Sequence, residues 1–151
     1  MKKEFELVFR EVAHGSEDYF RAVELRDEVL RRPLGLEFSA GDLAAEGDSF
    51  HLTGWLHGEL VACAILEPVT AATIRLRQFA VREGFRSMGV GGWLLECAER
   101  FARERGCVFI HLHARETAVR FYQKAGYLPF GDRFVEVTIP HVAMSKSLTG
   151  H

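Results

Sequence analysis

The sequence has few of the features that place a protein in a membrane or outside the cell. No uninterrupted apolar run approaches the roughly 20 residues of a membrane-spanning helix, and the first residues lack the apolar block of a signal peptide. The three cysteines, Cys63, Cys97 and Cys107, are odd in number and lie inside apolar runs, as reduced core thiols do. We therefore expect a cytoplasmic protein without a membrane partner.

The sequence also lacks an excess of positive charge. Its 19 Lys and Arg residues are matched by 21 Asp and Glu residues, for a formal net charge of -2. A protein whose main partner is nucleic acid usually has a broad basic surface, so we expect no nucleic-acid partner. The seven histidines show no Cys/His spacing typical of a metal site, and we expect no metal.

Enough apolar residues are present for one hydrophobic core. Of the 151 residues, 48% are hydrophobic and 26% are charged, which is typical of a compact folded domain. We find no internal repeat and no linker, and we predict a single mixed α/β domain over residues 1–151. Apolar patterning predicts seven strands, at 5–10, 50–56, 60–66, 73–81, 108–113, 134–139 and 142–147. His57-Gly58-Glu59 is predicted to be a hairpin turn, and Pro140-His141 to separate the last two strands.

Helical spacing predicts four helical segments between these strands, at about 16–35, 38–48, 91–106 and 118–126, the second being either a short helix or a loop. Arg26 lies in the apolar face of the first helix. A charge there is either a structural ion-pair partner or an active-site contact. Glu99 and Arg103, four residues apart, are expected to pair on the outer face of the third helix.

One stretch has the composition of a phosphate-binding loop. Arg86-Ser87-Met88-Gly89-Val90-Gly91-Gly92 lies between the strand that ends at Val81 and the third helix. Three glycines in four positions let the backbone approach a ligand closely, and the amides of the following helix N-terminus attract an anion. The loop lacks the Gly-Lys-Ser/Thr ending of a Walker loop and does not fit the Rossmann fingerprint. A purely structural glycine turn is the alternative.

Two motifs in this order are those of a known family. The loop reads [Arg/Gln]-x-x-Gly-x-[Gly/Ala], and the fourth helix ends as Ala-x-x-Phe-Tyr-x-x-x-Gly-[Phe/Tyr], matched by Arg86, Gly89, Gly91, Ala118, Phe121, Tyr122, Gly126 and Tyr127. The chain resembles the GNAT superfamily of acetyl-CoA-dependent N-acyltransferases, most clearly from about Leu76 to Leu128. The resemblance implies a central, mostly antiparallel sheet of six to seven strands, splayed between the fourth and fifth and flanked by about four helices.

The resemblance also implies an acetyl-CoA site. The pyrophosphate would lie on the amides of residues 88–92, the pantetheine arm would pair with residues 79–81 like an extra strand, and the Phe79 amide would polarise the acetyl carbonyl. Arg115 stands where the family often has Asn, and is expected to reach a phosphate of CoA or to be solvated. The predicted cofactor-binding residues are Phe79, Ala80, Val81, Arg86, Ser87, Met88, Gly89, Val90, Gly91, Gly92, Arg115 and Tyr122.

The chemistry needs a general acid and a route for the proton of the amine. Tyr122 corresponds to the family tyrosine that can protonate the departing thiolate. The candidates for the base are His113, His111, Glu136 and His141, each of which has a hydrogen-bonded structural role as its alternative. The residues predicted to contact the acceptor are Arg26, Gln78 and His111.

We therefore predict acetyl transfer from acetyl-CoA to the amine of a small molecule or peptide, by direct attack in a ternary complex. The competing prediction is a non-catalytic acyl-CoA-binding module, in which the glycine loop is kept and the acceptor pocket is closed or used for a partner. The sequence does not determine the oligomeric state, although exposed sheet edges are compatible with a homodimer.

Overall fold

The computed structural model describes residues 6–149, which form one seven-stranded sheet flanked by helices. The strands are β1 Leu7–Val12, β2 Phe50–Leu56, β3 Glu59–Pro68, β4 Thr73–Val81, β5 Phe109–Arg115, β6 Leu128–Glu136 and β7 Ile139–Ser147. The helices are α1 Glu17–Arg26, α2 Ala40–Ala44, α3 Val90–Glu104 and α4 Val119–Lys124. Phe5, where the first predicted strand begins, lies outside the described residues.

The sheet has the strand order β1-β2-β3-β4-β5-β7-β6. Its neighbours are antiparallel except β4 and β5, which run parallel. A parallel pair needs a crossover connection, and α3 provides it. The predicted mixed α/β class and mostly antiparallel sheet are confirmed, as is the hairpin at His57-Gly58, where both residues have positive φ angles of 51° and 81°.

The core lies on both faces of β2 and β3, whose side chains are buried almost throughout. On one face, α1 packs Ala22 and Leu25 against Trp55 and Leu60. On the other face, α3 contributes its apolar stripe to a larger cluster that also includes side chains of β4, β5 and α4, among them Leu94, Ala98, Leu76, Ile110 and Tyr122. Within residues 6–149, no helix is both long enough and apolar enough to span a membrane.

The helix α1 begins as predicted at Ser16, whose Oγ accepts a hydrogen bond from the Tyr19 amide at 3.1 Å. The chain continues beyond Arg26 as a π-helical turn, Asp27–Arg31, and a 3₁₀ turn that contains Pro33. It ends at Gly35, which has a left-handed φ of 70°. The extra turns matter because they carry Leu30 and Arg31 towards the carboxyl end of β5.

The prediction for the last two strands was wrong. The chain turns at Val137 and Thr138, not at Pro140-His141, and β6 begins at Leu128 rather than at Phe134. Pro140 is tolerated in β7 because β5 pairs with β7 only from His141 onward, so at Pro140 the strand has a neighbour on one side alone. Val137 and Thr138 have φ angles of 44° and 68°, which β-branched residues rarely adopt and which sequence reasoning therefore did not assign to them.

The outer-face position expected for Glu99 was also wrong. Glu99 is 4% exposed, because it lies one turn after the buried Leu95 and faces the end of α4. Its carboxylate accepts hydrogen bonds from the Tyr127 hydroxyl and from Lys146 Nζ, both at 2.9 Å. Tyr127 is the last residue of the fourth-helix motif, and its buried hydrogen bond to Glu99 connects this motif to α3.

Candidate active site

The strands β4 and β5 separate halfway along their length. They pair at only four positions, from Thr73 opposite Phe109 to Leu76 opposite Leu112. Beyond that point β4 follows β3 while β5 follows β7, which confirms the predicted splay. A cavity of about 140 Å³ opens between them, lined by Leu30, Arg31, Leu76, Arg77, Gln78, Phe79, Leu112, His113, Ala114, Arg115, Ala118, Tyr122, Glu136, Val137 and His141.

A β-bulge in β4 begins the splay. Between the pairs Ile65–Arg77 and Cys63–Ala80, β3 advances by two residues and β4 by three, so Gln78 and Phe79 together face Ala64. Gln78 has a φ of 52°, and its Oε1 is buried with no hydrogen-bond partner among the described residues. A buried acceptor without a donor is costly. Gln78 is one of the residues that line the cavity.

His113 and Glu136 form a hydrogen-bonded pair in the wall of this cavity. His113 Nδ1 and Glu136 Oε1 are 2.7 Å apart, and Arg75 Nη2 also lies 2.7 Å from the same nitrogen. One ring nitrogen cannot donate to the carboxylate and accept from the guanidinium at once. We assign the proton to Nδ1, because an N–H donated to a carboxylate is the stronger interaction. The guanidinium of Arg75, whose Nη2 is 3.9 Å from Glu136 Oε1, then interacts with the Glu136 carboxylate as an ion pair. In neutral His113 the lone pair is on Nε2.

The electrostatics keep Glu136 ionised. Burial by itself would raise the pKa of this carboxyl group, but the hydrogen bond from His113 and the positive charge of Arg75 bring the pKa below its ordinary value. An ionised Glu136 holds the His113 ring in one orientation and one tautomer. The pair can thus present a basic nitrogen to the cavity.

Tyr122 lies on the other side of the splay. It is buried, and its ring contacts Phe79 edge to face at a centroid distance of 6.2 Å. Burial raises the pKa of the Tyr122 phenol above its ordinary value, so the hydroxyl keeps its proton at neutral pH. A protonated phenol can donate a proton but cannot accept one as a base.

The glycine loop fits an anionic ligand. A 3₁₀ turn, Arg86–Met88, leads to Gly89, which has a φ of 79° and precedes the fifteen-residue helix α3. The first turn of α3 has neither a side-chain cap nor an acidic residue, so its amides remain available to a ligand. A Cβ added at Gly89 or Gly92 would meet no atom within 4 Å. The space next to this backbone is therefore open, as a phosphate group requires.

Not every predicted site residue reaches the cavity. Arg26 is a correction: it is 1% exposed and forms a two-bond ion pair with Glu46, at 2.9 and 2.6 Å, which is the structural alternative raised by the sequence. His111 does not line the cavity, because it lies where β4 and β5 are still paired, opposite Arg75. His141 does line it, and its Nδ1 bonds the Ile139 carbonyl oxygen at 2.9 Å. Arg115 donates from Nη2 to the Leu30 carbonyl oxygen at 2.8 Å.

Sequence reasoning missed two arginines of the cavity, Arg31 and Arg77. Arg77 had a weak signal, since it alternates with apolar residues in β4 and so faces the side of the sheet opposite to them. Arg31 had none, because its position depends on the π-helical turn after α1. Within residues 6–149, no group of three or more His, Cys, Asp or Glu residues could hold a metal ion.

Comparison with known proteins identifies the family of this chain. The family model described as the Acetyltransferase (GNAT) family matches residues 10–127. A Bacillus subtilis (strain 168) protein, named as a predicted acetyltransferase, is 28% identical over 134 residues, covering 86% of this chain and 90% of that protein.

Solved structures show the same fold. The crystal structure of Escherichia coli ElaA superposes with a TM-score of 0.78 at 23% identity, covering 93% of this chain and 99% of that one. An aminoglycoside 6'-N-acetyltransferase complexed with coenzyme A superposes with a TM-score of 0.79 at 17% identity, covering 95% and 98%. Because the family model spans most of its length, the chain belongs to the GNAT family of acetyltransferases, enzymes that use acetyl-CoA as the acetyl donor.

Proposed function

We propose that the protein transfers the acetyl group of acetyl-CoA to a primary amine of a small molecule or peptide, by direct attack in a ternary complex. The observation that carries the proposal is the cavity at the splay of β4 and β5. It has a protonated phenol, Tyr122, on one side and an imidazole oriented by a carboxylate, His113 with Glu136, on the other. These are the acid and base that amide formation from a thioester needs.

Two segments of the chain would hold acetyl-CoA. The amides of residues 89–92 and the side chain of Arg86 would bind the pyrophosphate at the N-terminus of α3. The predicted contribution of Met88 is not kept, because its amide donates to the Phe85 carbonyl oxygen at 3.3 Å. The backbone of Phe79, Ala80 and Val81 would pair with the pantetheine arm along the part of β4 that β5 leaves free. The two segments are close to each other at Gly91, where an added Cβ would lie 3.5 Å from the side chains of Val81 and Phe121.

The tautomer of His113 and the protonated phenol of Tyr122 define the proposed proton transfers. Bound acetyl-CoA supplies a thioester whose carbonyl carbon forms the new C–N bond as the C–S bond breaks. His113 Nε2 accepts the proton that the amine nitrogen loses, while Glu136 holds the Nδ1 proton. Tyr122 donates its hydroxyl proton to the departing sulfur. His141 is the second candidate base, because it also lines the cavity with one nitrogen fixed by the backbone.

Release of free CoA thiol across a panel of primary amines tests this function. The enzyme hypothesis predicts thiol release that depends on the amine and is lost in His113→Ala. Tight CoA binding without thiol release for any amine would favour the competing hypothesis, a non-catalytic acyl-CoA-binding module.

A further inference from the structure

The cavity lining has more positively charged than negatively charged side chains. Three arginines, Arg31, Arg77 and Arg115, face a single carboxylate, Glu136. The chain as a whole carries a formal net charge of -2, so this positive excess is local to the cavity. Such an excess beside a catalytic pair suggests recognition of an anionic group.

Two of the charges in this region already have partners. Arg77 Nη1 lies 3.8 Å from Glu67 Oε1. Glu136 is engaged by His113 at 2.7 Å and by Arg75 at 3.9 Å. Arg77 therefore has an acidic neighbour of its own, and among the described residues Glu136 forms no ion pair with the remaining cations of the cavity, Arg31 and Arg115.

Arg31 and Arg115 form no ion pair with any residue that the structure describes. The guanidinium of Arg31 lies over the Phe38 ring, 4.5 Å from its centroid. The nearby acids are engaged elsewhere. Asp27 accepts from Arg32 at 2.9 Å, Glu28 lies 3.5 Å from Arg82, and Glu116 bonds Arg133 at 2.8 Å. Both arginines thus keep donors for a ligand.

The position of Arg115 is fixed by the same element that carries Arg31. Its Nη2 donates to the carbonyl oxygen of Leu30, the residue before Arg31. Burial and the positive charge of Arg31 lower the pKa of the Arg115 guanidinium. Both cations line the same cavity, and a negative group bound there would offset both the burial and the repulsion.

We propose that the acceptor is a small amine that carries a carboxylate, and that Arg31 and Arg115 bind this carboxylate. This inference rests on the proposed function, since the carboxylate belongs to the amine that is acetylated. A planar guanidinium matches a carboxylate with two parallel hydrogen bonds, and a cavity of about 140 Å³ accommodates a small molecule. Polycationic amines such as aminoglycosides would be repelled by the same two residues.

Kinetics on matched amines test the assignment. Amino acids are compared with their carboxamides, which have the same shape without the charge, and with one aminoglycoside. We expect kcat/KM for a carboxylate to exceed that for its carboxamide by about 10- to 100-fold, the range provided by hydrogen bonds to charged groups. Arg31→Met and Arg115→Met should each reduce this ratio, and the double variant should bring it close to one, with the KM for acetyl-CoA unchanged.

Arg21→Met is the matched control, because Arg21 is exposed on α1 and pairs with Glu17 and Asp18. It should leave the ratio at its wild-type value. The proposal is overturned if carboxamides or the aminoglycoside are the better acceptors. It is also overturned if Arg115→Met raises the KM for acetyl-CoA and leaves the carboxylate preference intact, which would assign Arg115 to a CoA phosphate.

A binding experiment separates this inference from the proposed activity. With CoA present, N-acetylated amino acids and their carboxamides are titrated into the protein by calorimetry, a measurement that needs no turnover. Tighter binding of the carboxylates, lost in the double variant, supports the site even if no amine releases thiol, in which case the proposed function alone fails. Equal binding of both members of each pair overturns the site.

Discussion

His113 Nδ1 and Glu136 Oε1 lie 2.7 Å apart although β7 separates their strands in the sheet. Glu136 is the last residue of β6, and the turn at Val137 and Thr138 follows it directly. The carboxylate can therefore reach past the end of β7 to the wall of the cavity. This pair is the basis of the proposed proton route.

Replacing Glu136 should impair turnover more than binding. Glu136→Gln removes the charge that selects the Nδ1–H tautomer of His113, so we expect a clear fall in kcat with little change in the KM for acetyl-CoA. His113→Ala removes the base itself and should reduce kcat by roughly 100-fold or more. Steady-state kinetics measure both. Wild-type kcat in Glu136→Gln would show that the pair is only structural.

Tyr122→Phe tests the general acid. The ring and its contacts with Phe79 and Phe121 are kept, so CoA affinity and the free energy of unfolding should stay near their wild-type values. Without the phenol proton, kcat should fall by about 100-fold. An unchanged kcat would eliminate Tyr122 as the proton donor.

Replacing Gly92 with alanine should stabilise the protein but weaken the binding of acetyl-CoA. Gly92 lies in the first turn of α3, and the added Cβ would contact no protein atom within 4 Å. Gly92→Ala should therefore stabilise the helix by about 0.5 kcal/mol. If a phosphate approaches this backbone, the same methyl group should raise the KM for acetyl-CoA by about 10-fold, equivalent to about 1.4 kcal/mol.

The matched control for Gly92 is Gly41→Ala in α2, where the added Cβ would lie 3.8 Å from Ser39 Oγ. It should leave the KM for acetyl-CoA unchanged. A Gly92→Ala protein with wild-type KM would place the phosphates elsewhere.

The turn between β6 and β7 should be a source of strain. Thr138 has a φ of 68°, so Thr138→Gly should raise the free energy of unfolding by about 1 kcal/mol. Gly58 occupies the second turn position of the β2–β3 hairpin with a φ of 81°, and Gly58→Thr should lower stability by a similar amount. Denaturant unfolding measures both, and a less stable Thr138→Gly protein would contradict the assigned strain.

The buried pair of Arg26 and Glu46 should make stability sensitive to acid. Burial by itself raises the pKa of Glu46, but the hydrogen bonds and charge of Arg26 leave it below the ordinary value of 4.5. A carboxyl group whose folded-state pKa is depressed stabilises the fold above its unfolded-state pKa and loses this contribution as pH falls through the folded-state value. We therefore expect the unfolding free energy to decline below about pH 4.5.

Glu46→Gln isolates this contribution. It leaves the Arg26 charge buried without its partner and should cost about 3–5 kcal/mol at neutral pH. Replacing both residues with apolar ones of similar size, as in Arg26→Met with Glu46→Leu, should recover much of that loss. A Glu46→Gln protein of wild-type stability would show that the pair contributes nothing.

Local sequence determined the parts of this protein that depend on short-range chemistry. Apolar alternation and the His57-Gly58 turn set the β2–β3 hairpin, and the spacing of Gly89, Gly91 and Gly92 predicted a glycine loop at the start of α3. Such features need only neighbouring residues, so their patterns can be read without knowing the fold. The motif around Tyr122 added the family and the acetyl donor.

Tertiary structure alone decided which distant side chains meet. Strand order and register brought Glu136 to His113, a π-helical turn brought Leu30 to Arg115, and the fold buried Arg26 against Glu46. The two residues of each pair are at least 20 positions apart in the chain. A periodic pattern predicts on which side of a helix or strand a residue lies, but not which distant residue it contacts. The glycine loop was therefore visible in the sequence, whereas the cavity where acetyl transfer is proposed to occur required the assembled sheet.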